Sequence, residues 1–428
     1  MKKLLLPALA LLLAPVFASG QNVQRCASYE YKQQELAADP SLANVLNQNE
    51  QDYQQFLQAH PTGYTNRAIV TIPVIFHVVY KTASQNISTQ RLLEQIDVLN
   101  KDYRKMNADI GNVPAAFQGL AADCEVEFCL AKRDPSGNWT DGIERTQTTV
   151  TSFGMSGDPV KFASTGGADA WDRNNYLNIW VCNLSGGLLG YSTFSGGAAN
   201  KDGVVLLYSA VGVTGAMAPY NKGRTATHEV GHWFNLFHIW GDDTNADGVC
   251  NDGGSQCSGS DNVADTPNQC DCHYGTFAVG SVQTDACTST SPGTMWMNYM
   301  DYTDDAAMYF FTNGQKTRIW ATLNGGRLPI MSSIACTPVG VADLTLKSVF
   351  TVAPSPSHGE FTLSFGPLQM ENTDISVYNV LGEIVYAQHF DALNEGQLTL
   401  DLTGNKEGVY FIEVRNAHEK VTRKVIIN

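Results

Sequence analysis

The segment from His228 to His238 reads HEVGHWFNLFH. His228 and His232 are four residues apart, so on an α-helix both imidazoles leave the same face and can grip one ion. The stretch GRTATHEVGHWFNLFH contains no proline and can run as that helix. Glu229 lies beside the pair, placed to reach a water on the ion rather than to bind it. His238 is six residues past His232 and cannot join from one straight helix, so the chain has to turn after Phe234. Such a turn needs a left-handed backbone, which glycine adopts freely and which asparagine occupies most often among the other residues. Asn235 stands where the turn is required. Three neutral nitrogen ligands with one open position describe a catalytic zinc site rather than a closed structural one.

The rest of the chain is long enough to build around such a site. With 428 residues, 43% apolar and 16% charged, it reads as a globular protein of two or three domains. Its formal charge of −15 argues against nucleic acid as a partner, because phosphate binding needs a basic face. Lys2 and Lys3, the apolar run from Leu4 to Phe17 and the small residues Ala18-Ser19-Gly20 form a secretory signal peptide over residues 1–20. No later segment is long and apolar enough to be a transmembrane helix, so an exported, soluble protein is expected. Ten cysteines are compatible with disulfides in that setting, chiefly where Cys250, Cys257, Cys270, Cys272 and Cys287 crowd together.

Texture divides the chain further. Residues 21–66 are polar and rich in Gln and Asn, with helical stretches such as SYEYKQQELA, and look like an appendage. The β-branched run AIVTIPVIFHVVY predicts a buried strand over 68–80. Ser88 is placed to cap a helix with Leu92, Ile96, Leu99 and Tyr103 on one face. Strands are expected at 126–131, 176–183 and 204–208, and GGLLGYSTFSGG predicts an exposed edge strand. Between Asp242 and Asp305 there are eleven aspartates and no glutamate, lysine or arginine, so regular structure there should be sparse. Asp243-Thr-Asn245-Ala-Asp247-Gly248 matches half of an EF-hand loop, but Gly254 stands where the bidentate glutamate belongs. From 344 to 428, short strands such as FTLSF, ISVYNV and GVYFIEV alternate with turns and predict a small β-sandwich.

HEVGHWFNLFH resembles the extended zinc motif of the metzincin metallopeptidases, with Asn235 in the place of a glycine. The later segment MNYMDYTDDAAMYFFTNGQKTRI resembles the methionine-turn region of the pappalysin family within that clan. The resemblance implies an α/β metzincin-like catalytic domain over 67–340, a twisted mixed sheet with helices above an irregular lower subdomain. It implies a zinc endopeptidase acting on proteins or peptides, with a zinc-bound water, Glu229 as general base and Tyr302 at the oxyanion. Met300 would be the turn methionine beneath the metal, and GYSTFSGG the rim strand against which extended substrates pair. Structural calcium is implied in the acidic stretch, with Asp243, Asn245, Asp247, Asp261, Asp265 and Thr266 as candidates; a solvated acidic loop is the alternative. Cys26 in Arg25-Cys26-Ala27 is similar to the family's pro-segment cysteine, which would occupy the open metal position and keep a precursor over 21–66 latent; a disulfide is the alternative. The resemblance also makes Asp304 and Asp305 candidates for an acidic pocket that selects a basic residue after the scissile bond, which would make Asn66–Arg67 a processing site; an exposed charged pair is the alternative.

The C-terminal module resembles the type A sorting domain of the type IX secretion system of Bacteroidota, through VAPSPSHGEFTLSF, ISVYNVLGEIVY, LDLTGNKEGVYFIEV and TRKVIIN. The secretion machinery is then its partner, and secretion or surface display its destination. The competing expectation is a catalytically inactive surface adhesin or binding protein, although Glu229 and all three histidines are intact.

Overall fold

The structure is a computed structural model that describes residues 23–60, 64, 68–241, 257, 259–339, 346–366, 370–393, 397–416 and 419–428. The signal-peptide run, the Asn66–Arg67 bond, Cys250 and the calcium candidates Asp243, Asn245 and Asp247 lie outside the described residues. The chain divides into two compact units, one of residues 1–130 and 142–333, the other of 131–141 and 334–428.

In the first unit, helices α1 (Ser28–Ala38) and α2 (Leu42–Ala59) precede the sheet. The apolar run forms β1 (Val70–Tyr80), whose residues 72–79 are all buried. Both of its faces are covered, which is why its sequence does not alternate. Ser88 accepts from the Arg91 backbone N–H and starts α3 (Thr89–Tyr103), which buries Leu92, Ile96, Leu99 and Tyr103 against the sheet. A short α4 (Ala115–Gln118) follows, then β2 (Val126–Leu130), β3 (Ile143–Gln147), β4 (Leu177–Cys182), β5 (Gly190–Ser192) and β6 (Val204–Leu207). The order is β2-β1-β4-β6-β5, and β3 also pairs with β1. One edge of β1 is shared: β2 pairs in parallel with residues 70–74 and β3 with residues 76–80. The polar sequence IERTQ carries no strand signal of its own, so β3 owes its conformation to that pairing.

One face of the sheet, with Phe76, Ile179, Val181 and Leu206, packs on α3 and on α5 (Arg224–Trp233) through Ala226 and Val230. The other face gathers Val79, Trp180, Tyr191 and Val205 into a second cluster. β5 is the antiparallel edge strand, yet it is buried rather than exposed, which corrects the sequence expectation. Residues 24–27 lie along it and α1 packs on it: Leu189 N donates to Gln24 O at 3.0 Å and Ala27 N to Gly190 O at 3.1 Å.

Among the described residues from 259 to 304 no helix or strand forms. The aspartates there serve as loop acceptors, as where Asp285 accepts from the backbone N–H groups of Cys270, Cys287 and Thr288. Cys257 and Cys287 form a disulfide. Cys129, Cys272 and Cys336 are also disulfide-bonded, two of them far outside the crowded region in sequence, while Cys124 and Cys182 are buried thiols. The last α-helix of the unit is α6 (Asn313–Asn324), opened by a reciprocal capping box between Thr312 and Gln315.

The second unit contains α7 (Leu346–Val349) and strands β7 (Thr351–Ala353), β8 (Glu360–Ser364), β9 (Met370–Asn379), β10 (Ile384–Leu393), β11 (Gln397–Asp401), β12 (Gly408–Arg415) and β13 (Lys420–Ile427). They make two sheets, β10-β9-β12-β13 and β11-β8-β7, with antiparallel pairing throughout. Phe361, Leu363 and Leu400 of one sheet share a core with Val377, Ile412 and Val425 of the other. This is the expected all-β module, with β7 as an additional strand.

Candidate metal centre

Every residue of α5 is buried. The helix ends at Trp233, and Asn235 follows with φ 67°, in the left-handed region. Asn235 N donates to His232 O at 2.7 Å and Leu236 N to Gly231 O at 3.0 Å. These are the two bonds of a Schellman C-cap, and they reverse the chain within one turn. His238 thereby returns to the face that carries His228 and His232. The three Nε2 atoms lie 3.0, 3.1 and 3.2 Å from one another.

The rings are oriented from behind. His228 Nδ1 donates to Tyr299 O and His232 Nδ1 to Leu236 O, each at 2.8 Å, so the Nε2 of both rings carries a lone pair. Burial, then the neighbouring imidazoles, hold the His228 pKa well below its ordinary value, so it is neutral. Lone pairs aimed at one point repel unless a cation sits among them, so this donor set fits a metal ion. Trp240 stacks on His238 with the planes 4° apart. Sequence reading missed this support, although an aromatic two residues beyond a ligand was there to be noticed.

Met300 lies under the helix: a Cβ at Gly231 would stand 2.5 Å from its Sδ. Glycine at 231 lets the thioether come against the helix, so the helix and the methionine turn meet directly. Tyr302 packs edge-on to His238, with ring centroids 4.9 Å apart, and donates from its hydroxyl to Cys26 O at 3.3 Å. β5 and the Glu229 side chain of α5 also meet closely, since a Cβ at Gly190 would stand 3.0 Å from Glu229 Cγ.

Cys26 completes the cluster. Its Sγ and the three imidazoles offer ligand atoms all within 4.8 Å of one another. Glu229 is fully buried, and burial pushes its carboxyl up to about 8 against the opposing effects of Ser28 and Cys26. Ser28 Oγ donates to Glu229 Oε2 at 2.8 Å. Arg25, on the other side of Cys26, donates to Asp305 Oδ1 at 2.9 Å and lies over the Tyr220 ring. Asp305 is fully buried and also accepts from the Lys222 and Arg224 backbone N–H groups, whereas Asp304 is partly exposed and donates its own N–H to Gly275 O. Of the described calcium candidates, Asp261 accepts from Thr266 Oγ1 through both oxygens, at 2.8 and 2.9 Å. Asp265 instead accepts from Thr312 Oγ1 and Gly314 N at the start of α6.

A mixed sheet with an antiparallel rim strand, a histidine helix broken by a left-handed residue, and a methionine turn beneath it define a metzincin-type metallopeptidase. Residues 164–324 match the family model described as pregnancy-associated plasma protein-A, and residues 351–428 match the secretion system C-terminal sorting domain. Extracellular metalloprotease 1 of Coccidioides posadasii is 33% identical over 277 residues, covering 61% of this chain and 80% of that protein. Among solved structures, a Tannerella forsythia promirolysin mutant is 45% identical, with 72% of this chain and 97% of that one covered at a TM-score of 0.63. Tannerella forsythia mature mirolysin in complex with a cleaved peptide is 50% identical, with 62% and 97% covered and a TM-score of 0.58. The chain belongs to the pregnancy-associated plasma protein-A, or pappalysin, family of metalloendopeptidases, and it carries a type IX sorting domain that makes it a secreted or cell-surface protein. Among the described residues no helix is long and apolar enough to cross a membrane.

Proposed function

We propose that the protein is a zinc endopeptidase held latent by its own N-terminal segment, with His228, His232 and His238 as the zinc ligands and Glu229 as the general base. The observation that carries this reading is the convergence of three buried Nε2 atoms, with Cys26 Sγ and the Glu229 carboxylate beside them. Zinc, when bound, lowers the pKa of water and polarises a carbonyl. Glu229, desolvated against the rim strand, takes the proton from the attacking water and delivers it to the leaving amine. Tyr302 holds the Cys26 carbonyl oxygen in the latent chain, which supports its role as the donor to a substrate carbonyl as charge develops there. Met300 shapes the floor by packing against Gly231.

The domain reading is a signal peptide at 1–20, a pro-segment at 21–66, the catalytic domain at 67–340 and the sorting sandwich at 344–428. Cys26 fills the fourth ligand position in the precursor. Arg25 against Asp305 supports an acidic pocket for a basic residue after the scissile bond, with Asp305 rather than Asp304 at its base. Calcium is retained in this proposal at the acidic stretch. Its support is Asp261, which is 3% exposed and whose carboxyl burial pushes up to about 7, the state of a buried carboxylate beside which a cation is favourable.

The decisive experiment is Glu229→Ala in the activated protein, assayed for casein cleavage and bound zinc. Cleavage should vanish while one zinc per chain is retained. Undiminished cleavage rejects the assignment of the base, and loss of zinc from the unaltered protein without loss of activity rejects the metal.

A further inference from the structure

Beyond the metal centre, the N-terminal segment fills a second slot. Tyr31, on α1, is 2% exposed and packs in the cluster on the outer face of the sheet. Its hydroxyl donates to Asp158 Oδ2 at 2.7 Å. Lys161 Nζ stands 4.7 Å from the centre of its ring, and the Tyr191 ring lies 5.1 Å away at a tilt of 42°. Every wall named here belongs to the catalytic domain, while the occupant belongs to the segment that latency reserves for removal.

The slot is built rather than incidental. Asp158 has φ 54°, in the left-handed region that aspartate tolerates better than most residues, and this backbone sets its carboxylate in the slot. Lys161 is fully buried and pairs with Asp158 Oδ1 at 3.1 Å, its ammonium also facing the Tyr191 ring. Lys201 reaches Asp158 Oδ2 at 3.3 Å and Glu35 of the N-terminal segment at 3.0 Å. A carboxylate that accepts a hydroxyl proton, a cation over the ring face and an aromatic neighbour are together the complement of a phenol.

β5 links this slot to the metal centre. A peptide that adds to its edge directs alternate side chains to the two faces of the sheet. Those on the face to which Tyr191 points meet the slot. In chain order Arg25 enters the Asp305 pocket, Cys26 faces the metal site and Tyr31 enters the slot, so the pocket and the slot lie to either side of the centre.

We propose that after removal of the N-terminal segment this slot is a substrate subsite on the amino-terminal side of the scissile bond, and that it selects tyrosine. The assignment of side rests on the reading above, in which the Asp305 pocket takes the residue after the bond. The test is cleavage of a peptide library by the activated full-length protein, with arginine held after the bond and tyrosine, phenylalanine or O-methyltyrosine at each preceding position. At one position tyrosine should exceed both analogues in kcat/KM by about tenfold, the worth of a hydrogen bond to a charged group. Asp158→Asn should remove that discrimination while the arginine preference persists. If that variant does not fold, the O-methyltyrosine comparison on the unaltered enzyme decides alone. Equal cleavage of tyrosine and phenylalanine peptides at every position, with the arginine preference intact, overturns the slot and leaves the peptidase reading standing. No cleavage of any peptide overturns both.

Discussion

Ser28 stands between β5 and α5: its Oγ accepts from Ser192 N–H and donates to Glu229 Oε2, each at 2.8 Å. The same residue donates its backbone N–H to Cys26 Sγ at 3.2 Å. One turn of chain therefore addresses the histidine cluster with a thiol and the Glu229 carboxyl with a hydroxyl. Ala27 between them has φ −128°, a conformation open to any residue, so no glycine is needed there.

Breaking either contact should speed activation. A hydrogen bond is worth about 0.5–1.5 kcal/mol net, so Ser28→Ala should shorten the half-time of precursor processing by about two- to tenfold. Cys26→Ala should shorten it at least as much. Gel time courses of the purified precursor measure both, and an unchanged half-time in Ser28→Ala would show that its contact with Glu229 plays no part in latency.

At the helix end, Asn235→Gly should leave melting temperature and zinc content close to those of the parent, because glycine takes φ 67° without strain. Asn235→Val should cost about 1–2 kcal/mol and release zinc more readily on dialysis, since it opposes the turn that delivers His238. Equal stability of the two variants would mean that the turn does not depend on a left-handed residue.

Asp305→Asn keeps the shape of the Asp305 pocket and removes its charge. A buried pair that loses one partner costs at least about 2 kcal/mol, so preference for arginine over leucine after the scissile bond should fall by about 30-fold or more. Competition between two otherwise identical peptides reads this ratio directly, and a preference that survives intact assigns specificity elsewhere.

Calcium and pH should act together at Asp261. Its folded carboxyl stands at about 7, above its unfolded value, so without a cation its contribution to stability is complete at low pH and fades as pH rises through 7. A bound cation requires the carboxylate and reverses that trend. The rise in melting temperature on adding calcium should therefore be larger at about pH 8 than at about pH 5.5. Equal gains at the two pH values would exclude Asp261 as a ligand.

Much of this was legible in the residues. The buried run of β1, the Ser88 cap and the alternating C-terminal strands are local patterns whose physics acts within one turn or one strand, and their elements formed where the patterns lie. The capping box of Thr312 and Gln315 was an equally local signal that went unread. β3 had no such signal, because IERTQ is a strand only through its partner β1.

By itself the sequence determined which atoms the centre is made from: two histidines at helical spacing, a glutamate beside them, an asparagine able to turn the chain and a third histidine beyond it. These follow from short-range geometry, which a helix period and one backbone torsion suffice to specify. Only the tertiary structure decided that Arg25, Cys26 and Ser28 lie against Asp305, the imidazoles and Glu229, that Asp305 rather than Asp304 receives the arginine, and that Tyr31 is buried over Asp158. Those contacts join residues more than a hundred positions apart, and their energies come from burial and charge pairing that exist only once the sheet and its rim are assembled.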